Sequence, residues 1–310
     1  MAANSKISWT DATWNPVRGC TRVSEGCRNC YAEKIAARFS GPGQPYEGLA
    51  KRVVVKSGPG QFGNDARWTG VVREVGGDTL TDPLRWKKPR RVFVNSMSDL
   101  FHEALSDEAI DRVFAVMALA PRHTFQVLTK RPERMRAYMN DRGHHDKIAA
   151  SWNWNDHDKR GADNRNAGLW PFPNVWLGTS VEDQATADAR IPLLLETPAA
   201  VRFVSYEPAL RPVDFTRLGH NAVNRNALTG MLDGPGGTTL CRDALPGLDW
   251  IIIGAESGPN RRPFQEDWAR SARDACQKAG VAFFFKQNHD IFGKKVETPL
   301  LDGKRWTEYP

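Results

Sequence analysis

Three cysteines within an eleven-residue segment are the residues of this chain whose type and spacing most clearly indicate chemistry. They lie in NPVRGCTRVSEGCRNCYAEKIAARF, with six residues between Cys20 and Cys27 and two between Cys27 and Cys30. The two-residue spacing lets Cys27 and Cys30 reach one metal centre, and the polar loop with Gly26 lets Cys20 join them. A zinc site needs a fourth ligand in closed tetrahedral geometry, whereas a [4Fe–4S] cluster on three cysteines keeps one iron open.

The histidines leave zinc as the alternative hypothesis. The first histidine after the motif is His102, so only a distant His102, His123 or His144 would complete a zinc site. That alternative corresponds to a zinc-containing nucleic-acid-binding protein without radical chemistry. The other two cysteines, Cys241 and Cys276, are interpreted as inert, since a free cysteine behaves as a small hydrophobe.

Polar residues follow the ends of six short apolar runs. These polar segments cover residues 95–99, 129–131, 178–183, 205–208, 254–258 and 286–287. In parallel β/α architectures the carboxyl ends of the strands form the active site. Turns need Gly, Ser, Thr and Asp as caps in any case, but Lys130, Glu207, Glu256 and Lys286 add charge where a cap needs none. The pattern favours an enzyme.

The elements that position these residues alternate between strand and helix. Continuous apolar runs are typical of strands buried on both faces, and strand–helix alternation predicts a parallel sheet. About seven such strands predict an α/β fold, a partial (β/α)6-type barrel with parallel strands; a doubly wound sheet is the alternative. We expect one domain over 1–310, with irregular insertions at 40–88, 140–172 and 211–247 and a small hairpin in the first. Pro192 is expected to kink or restart its helix.

Composition limits the class of protein and of partner. The net charge of +7 and the pI near 9.2 favour a nucleic-acid partner, DNA or RNA, through phosphate neutralisation. No apolar run is long enough to span a membrane, and the N-terminus MAANSKISWTDATW lacks the apolar core of a signal peptide. We therefore expect a cytoplasmic protein with no membrane partner.

Several sequence blocks carry a family resemblance over essentially the whole chain. WTDATWNPVRGC, GCRNCYAEKIAAR, VNSMSDLF, TKRPERM, WLGTSVED, RFVSYEPAL, IIGAESGPNRRP and FFFKQ resemble the phage Gp37/Gp68 family, a three-Cys-motif domain of unknown function (DUF5131). More distantly, NP-x-x-GC…C-x-x-CYA is similar to the cluster loop of radical S-adenosylmethionine enzymes, particularly the spore photoproduct lyase branch. The spacing here is C-x6-C-x2-C in place of the usual C-x3-C-x2-C. Asn95-Ser96-Met97-Ser98 stands where Gly-Gly-Glu is usual, and the lyase branch also has Ser there.

This resemblance implies a cofactor set and a reaction. Cys20, Cys27 and Cys30 would hold a [4Fe–4S] cluster that binds S-adenosyl-L-methionine and cleaves it to a 5′-deoxyadenosyl radical. An electron donor such as flavodoxin or ferredoxin would reduce the cluster. The cofactor carries this chemistry, while the protein binds, orients and excludes water.

The resemblance also implies roles for individual residues. Tyr31 would lie beside the adenine, Ser96 or Ser98 at the methionyl end, Lys130 at the carboxylate or ribose, and Thr179 and Ser180 at the ribose. Glu207, Glu256, Arg261, Arg262 and Lys286 remain for substrate. Three features together indicate a nucleic-acid substrate: the basic charge, the lyase-like loop and the tryptophans of the 140–172 insertion (Trp152, Trp154, Trp170). The alternative is that these rings only pack the insertion.

Overall fold

Eight strands form one curled sheet in which spatial order follows chain order. The first seven strands are parallel, and the eighth pairs antiparallel with the seventh at the sheet edge. The strands are β1 (Ala12–Trp14), β2 (Arg91–Val94), β3 (Thr124–Thr129), β4 (Val175–Val181), β5 (Val201–Tyr206), β6 (Trp250–Gly254), β7 (Ala282–His289) and β8 (Lys295–Glu297). This half-barrel confirms the predicted partial barrel. The doubly wound alternative is wrong, because the strand order has no switch point.

The structure is a computed structural model that describes residues 5–58, 61–151, 166, 168–219, 224–234, 246–258 and 260–310. Trp152, Trp154 and Cys241 lie outside the described residues, as do parts of all three predicted insertions. Within the described residues, no helix has the length and apolar character that crossing a membrane requires.

Seven helices are described alongside the sheet: α1 (Tyr31–Arg38), α2 (Asp78–Arg85), α3 (Asp107–Ala118), α4 (Pro132–Asn140), α5 (Arg142–Ser151), α6 (Gln184–Leu195) and α7 (Glu266–Ala279). Ser106 caps α3 by accepting from Ala109 N at 3.3 Å, as its position predicts. Of the kink or restart expected at Pro192, the restart does not occur, since α6 continues through this residue. Ile191 and Leu194 are fully buried in the core on either side of it, so packing holds the helix where a backbone hydrogen bond is missing.

Short elements complete the described chain. The hairpin expected in the first insertion is present as Ala50–Gly58 paired with Gln61–Trp68. Smaller antiparallel pairs join Val17–Arg18 to Arg73–Glu74, Asn224–Arg225 to Leu232–Asp233, and Leu300–Leu301 to Lys304–Arg305, and a 3-10 turn spans Glu25–Cys27.

An aromatic plug fills the interior of the half-barrel. Alternate strand side chains point inward, and Phe203, Trp250 and Phe284 from β5, β6 and β7 form one buried cluster with Trp9. Tyr309 joins from the other end of the chain, its ring centroid 5.1 Å from that of Trp250. The plug lies beneath the carboxyl ends of the strands, where Trp9 and Phe93 also line a cavity.

Gly178 on β4 provides space for this plug. A Cβ at that position would lie 2.6 Å from Cζ of Phe203. Any larger residue would therefore collide with the Phe203 ring.

The described part of the 140–172 insertion packs on the outer helices. Tyr138 Oη donates to Asp111 Oδ1 at 2.7 Å, and His144 Nδ1 lies 3.0 Å from the same oxygen. Trp170 Nε1 donates to Met139 O at 3.1 Å, and its ring packs against Phe114. These contacts favour the packing interpretation for Trp170.

Candidate functional site

A cavity of about 240 Å³ opens at the carboxyl ends of the parallel strands. Its walls come from the cysteine loop and from residues at the ends of β2 to β7. Eleven of the predicted site residues line it: Cys20, Cys27, Cys30, Tyr31, Ser96, Ser98, Lys130, Ser180, Glu207, Glu256 and Lys286. Thr179, Arg261 and Arg262 are not among the lining residues. Thr179 is fully buried and donates to Thr129 O at 3.0 Å.

The root of the cysteine loop is fixed to the polar segment after β2. Ser98 Oγ donates to Val17 O at 2.9 Å, and Ser98 forms a parallel bridge with Gly19. Ser96 Oγ lies 3.1 Å from Asn15 Oδ1, which also accepts from Met97 N at 3.0 Å. Ser96 and Ser98, one of which is expected at the methionyl end, therefore both hold the start of the loop in this structure.

Glu182 is the main anchor of the middle of the loop. Its buried carboxylate accepts from Ser24 Oγ at 2.9 Å, from Arg190 Nη1 at 3.1 Å and from the Lys130 ammonium. Burial opposes ionisation of Glu182, but the two cations and the hydrogen bonds outweigh it and hold its pKa below the usual value. In this structure the ammonium of Lys130 therefore faces a protein carboxylate. A Cβ on Gly26 would lie 2.3 Å from Glu182 Oε1, so only glycine lets the loop approach so closely.

A second anchor lies beside Cys20. The buried Arg131 contacts Asp99 Oδ2 at 3.1 Å and donates to Thr21 Oγ1 at 2.6 Å through its other terminal nitrogen. The Nη1 nitrogen of Arg131 is also 4.0 Å from Cys20 Sγ. Asp99 in turn accepts from Thr129 Oγ1 at 2.6 Å. This ion pair places a guanidinium donor next to the first cysteine.

The third anchor is Glu256 at the end of β6. Asn29 Nδ2 donates to Glu256 Oε2 at 3.0 Å, and Arg262 pairs with the same carboxylate. Arg262 also donates to Glu25 O at 3.0 Å. Burial again opposes ionisation, but the hydrogen bonds from Arg262 and Asn29 hold the pKa of Glu256 below its usual value. Two residues predicted for substrate thus dock the cysteine loop in this structure.

Three polar atoms of cavity-lining residues lack partners in the part of the chain that the structure describes: Trp9 Nε1, Glu207 Oε1 and Asn95 Nδ2. Lys286 Nζ donates to Glu207 Oε2 at 2.8 Å, yet the buried Glu207 Oε1 accepts no hydrogen bond. Asn95 is 2% exposed, and its Nδ2 donates none. Asn95 also has a φ of 60°, which is uncommon outside glycine. Buried polar groups are nearly always paired, so the Asn95 donor and the Glu207 acceptor are available to a ligand.

The three thiols of the loop are free and half-buried. Burial raises the pKa of Cys20 to about 12, with Asp99 adding to the rise and Arg131 opposing it. Burial also raises the pKa of Cys30. Metal binding would therefore release protons. Among the described residues, no three His, Cys, Asp or Glu side chains lie close enough together to hold a metal ion, so a loaded site requires the thiols to move together.

The donor chemistry favours a thiolate-binding centre. Soft thiolates select zinc and iron–sulfur clusters over magnesium or calcium. None of the histidines considered as a fourth zinc ligand lines the cavity. His102 Nε2 contacts Thr21 Oγ1 at 2.9 Å, His123 Nε2 contacts Pro83 O at 3.0 Å, and His144 contacts Asp111. Three thiols in a cavity that none of these histidines lines fit a cluster with one open position.

Asp99, Arg131 and Glu182 are site residues that the sequence reasoning did not select. Each lies in one of the predicted polar segments, and each carries a charge at the end of a buried strand. That was the same signal that selected Lys130 and Glu207. The sequence does not reveal which of these side chains contact each other, because the partners lie about 30 to 160 residues apart in the chain.

Comparison with known proteins gives a family over almost the whole length. Residues 4–310 match the family described as protein of unknown function (DUF5131). No curated protein and no solved structure matches the chain. The chain therefore belongs to the DUF5131 family.

Proposed function

We propose that this chain is a radical S-adenosylmethionine enzyme whose [4Fe–4S] cluster is held by Cys20, Cys27 and Cys30. The observation that carries the proposal is that all three free thiols line one cavity at the carboxyl ends of parallel strands. The resemblance of the cysteine loop to that of the phage Gp37/Gp68 and spore photoproduct lyase proteins supports the same assignment. When bound and reduced, such a cluster supplies the electron that cleaves the sulfonium of S-adenosyl-L-methionine.

The chain's own residues would position the cofactors. Arg131 lies at Cys20, and Glu182 and Glu256 hold the loop from two sides. The unpaired Asn95 Nδ2 and Glu207 Oε1 offer a donor and an acceptor to S-adenosyl-L-methionine. The aromatic plug beneath the cavity excludes water from that side. The net charge of +7 supports nucleic acid as the substrate and repair or base modification as the reaction.

Anaerobic reconstitution with iron and sulfide, followed by dithionite and S-adenosyl-L-methionine, tests the proposal. We expect a brown protein that releases 5′-deoxyadenosine. Cys20→Ala, Cys27→Ala and Cys30→Ala should each lose most of the bound iron and the product. Cys276→Ala is the matched control and should retain both, because Cys276 is buried in α7 away from the cavity.

Metal analysis separates this proposal from the zinc alternative. One zinc per chain and no iron in anaerobically prepared protein would refute the cluster. A brown protein that binds no S-adenosyl-L-methionine would instead reduce the function to electron transfer.

A further inference from the structure

Helix α1, which follows Cys30 directly, exposes an apolar stripe. Tyr31 and Ile35 of α1, and Phe39 directly after its last residue, are 43%, 37% and 49% exposed and recur every four residues, so they follow one side of the helix. The opposite face is covered, since Ala32, Ala36 and Ala37 pack against the hairpin and Met97. The stripe is therefore a surface of a well-anchored helix rather than the end of a fraying one.

Cations interleave with this stripe. Arg28, Lys34 and Arg38 lie on the same segment, and none has an acidic partner among the residues that the structure describes. By contrast, the nearby Arg22 is tied to the buried Glu33. Unpaired cations beside exposed aromatic rings complement a polyanion that also offers flat apolar faces.

The stripe leads into the candidate site. Tyr31 lines the cavity and donates from Oη to Ser96 O at 3.0 Å. Lys34 Nζ lies 3.9 Å from where a Cβ on Gly258 would stand, beside the segment after β6 that also lines the cavity. A ligand lying on α1 would therefore meet the cavity mouth.

We propose that the exposed face of α1 binds single-stranded nucleic acid, with Tyr31 and Phe39 stacking on bases and Arg28, Lys34 and Arg38 contacting phosphates. A single strand is favoured over a duplex because its base faces are open to aromatic side chains. The link between this surface and catalysis rests on the proposed function, whereas the binding itself requires neither cluster nor cofactor. An acidic protein would use the cations but has no equivalent need for the two rings.

Fluorescence anisotropy of the full-length, metal-free chain tests the surface. The probe is a fluorescein-labelled oligodeoxynucleotide of about 12 nucleotides, compared with its blunt duplex. Phe39→Ala should weaken binding of the single strand by about 5-fold or more, the loss expected for one stacked base. Arg38→Glu should weaken binding and lower the log–log salt slope by about 0.7, the share of one phosphate on a single strand.

Two controls make comparable changes elsewhere, one truncating an exposed apolar side chain and one reversing an exposed positive charge. Leu300→Ala removes a side chain that is 55% exposed, and Lys278→Glu reverses an exposed charge on α7. Both controls should bind like the parent chain. Unchanged binding by Phe39→Ala and Arg38→Glu would overturn the proposal, as would stronger binding of the duplex or equal losses in the controls.

The outcome is separable from that of the proposed function. Phe39→Ala should still release 5′-deoxyadenosine after reconstitution, since Phe39 does not line the cavity. A chain that holds zinc and releases no 5′-deoxyadenosine, yet binds the oligonucleotide through α1, would refute the proposed function and leave this inference standing. A chain that cleaves S-adenosyl-L-methionine but does not bind the oligonucleotide would refute this inference and leave the proposed function standing.

Discussion

Glu182 forms ion pairs with two cations of the site, Lys130 and Arg190, and the contribution of these pairs to stability can be measured. Glu182→Gln removes the charge while leaving Lys130 and Arg190 in place. Removing one partner of a buried pair costs about 3–5 kcal/mol, and we expect about 3 kcal/mol because the Lys130 side chain is 19% exposed. Urea unfolding of the metal-free protein at neutral pH measures this loss.

An exposed pair provides the control for this change. Arg136 and Glu196 also form an ion pair, but both side chains are more than 40% exposed. Glu196→Gln should therefore cost no more than about 1 kcal/mol. Equal losses in the two variants would mean that the burial of Glu182 has no energetic role.

The same contact has a definite pH dependence. Because the pKa of Glu182 is lowered in the folded chain, its stabilisation is fully present above its ordinary value of 4.5 and is lost as pH falls through the lower folded value. The difference in unfolding free energy between parent and Glu182→Gln should be constant near neutral pH and shrink below about pH 4.5. A difference that grows in acid would contradict this sign.

The sequence predicted which residues lie at the cavity better than it predicted which side chains they contact. Charge at the end of a buried strand selected Lys130, Glu207, Glu256 and Lys286, and all four line the cavity. Their side chains nevertheless contact protein groups: Lys130 meets Glu182, Lys286 meets Glu207 and Glu256 meets Arg262. Pairing depends on which strand ends become neighbours, and that information is in the sheet rather than in any local segment.

At the scale of elements, the cysteine loop is a docked element whose fit can be tested without metal. Gly26→Ala places a methyl group against the Glu182 carboxylate, 2.3 Å from Oε1, so loop or carboxylate must shift. Overpacking of this kind costs about 1–3 kcal/mol. Urea unfolding midpoints of the metal-free variant and parent provide the measurement.

Gly76→Ala is the matched control, because a Cβ there meets nothing within 4 Å and the backbone is not left-handed. That change should be neutral or stabilising by up to about 1 kcal/mol. If Gly26→Ala proved equally harmless, the loop would not be held against Glu182 in solution.

Element types were predictable where local physics decides them. Continuous apolar runs gave the buried parallel strands, and Ser106 and Pro132 marked the starts of α3 and α4. The restart expected at Pro192 does not occur, because the packing of Ile191 and Leu194 compensates for one missing hydrogen bond.

At the scale of the whole molecule, strand–helix alternation predicted the partial barrel but not what fills it. Trp9 lies before the first strand and Tyr309 at the end of the chain, and neither belongs to a periodic segment. Their rings pack in the same aromatic cluster. The ring centroids of Trp9 and Phe93 are 4.8 Å apart, and those of Tyr309 and Trp250 are 5.1 Å apart. Only closure of the sheet brings the two ends together, so no local pattern could reveal the plug.

This joining of the ends predicts that the chain unfolds as one cooperative unit. The Tyr309 ring packs on Trp250 and Phe284 and lies under the Arg91 guanidinium, 4.1 Å from its centroid. Tyr309→Ala should therefore lower the free energy of unfolding by about 2–4 kcal/mol, the cost of removing a partly buried aromatic ring. Tyr309→Phe keeps the ring and loses the contacts of the hydroxyl, a long 3.5 Å hydrogen bond to Ser8 O and one with the partly exposed Arg91, so it should cost about 1 kcal/mol. Calorimetry should show a single transition, with equal calorimetric and van't Hoff enthalpies, that moves to lower temperature in Tyr309→Ala. A second transition that stays in place would mean that the ends stabilise only part of the molecule.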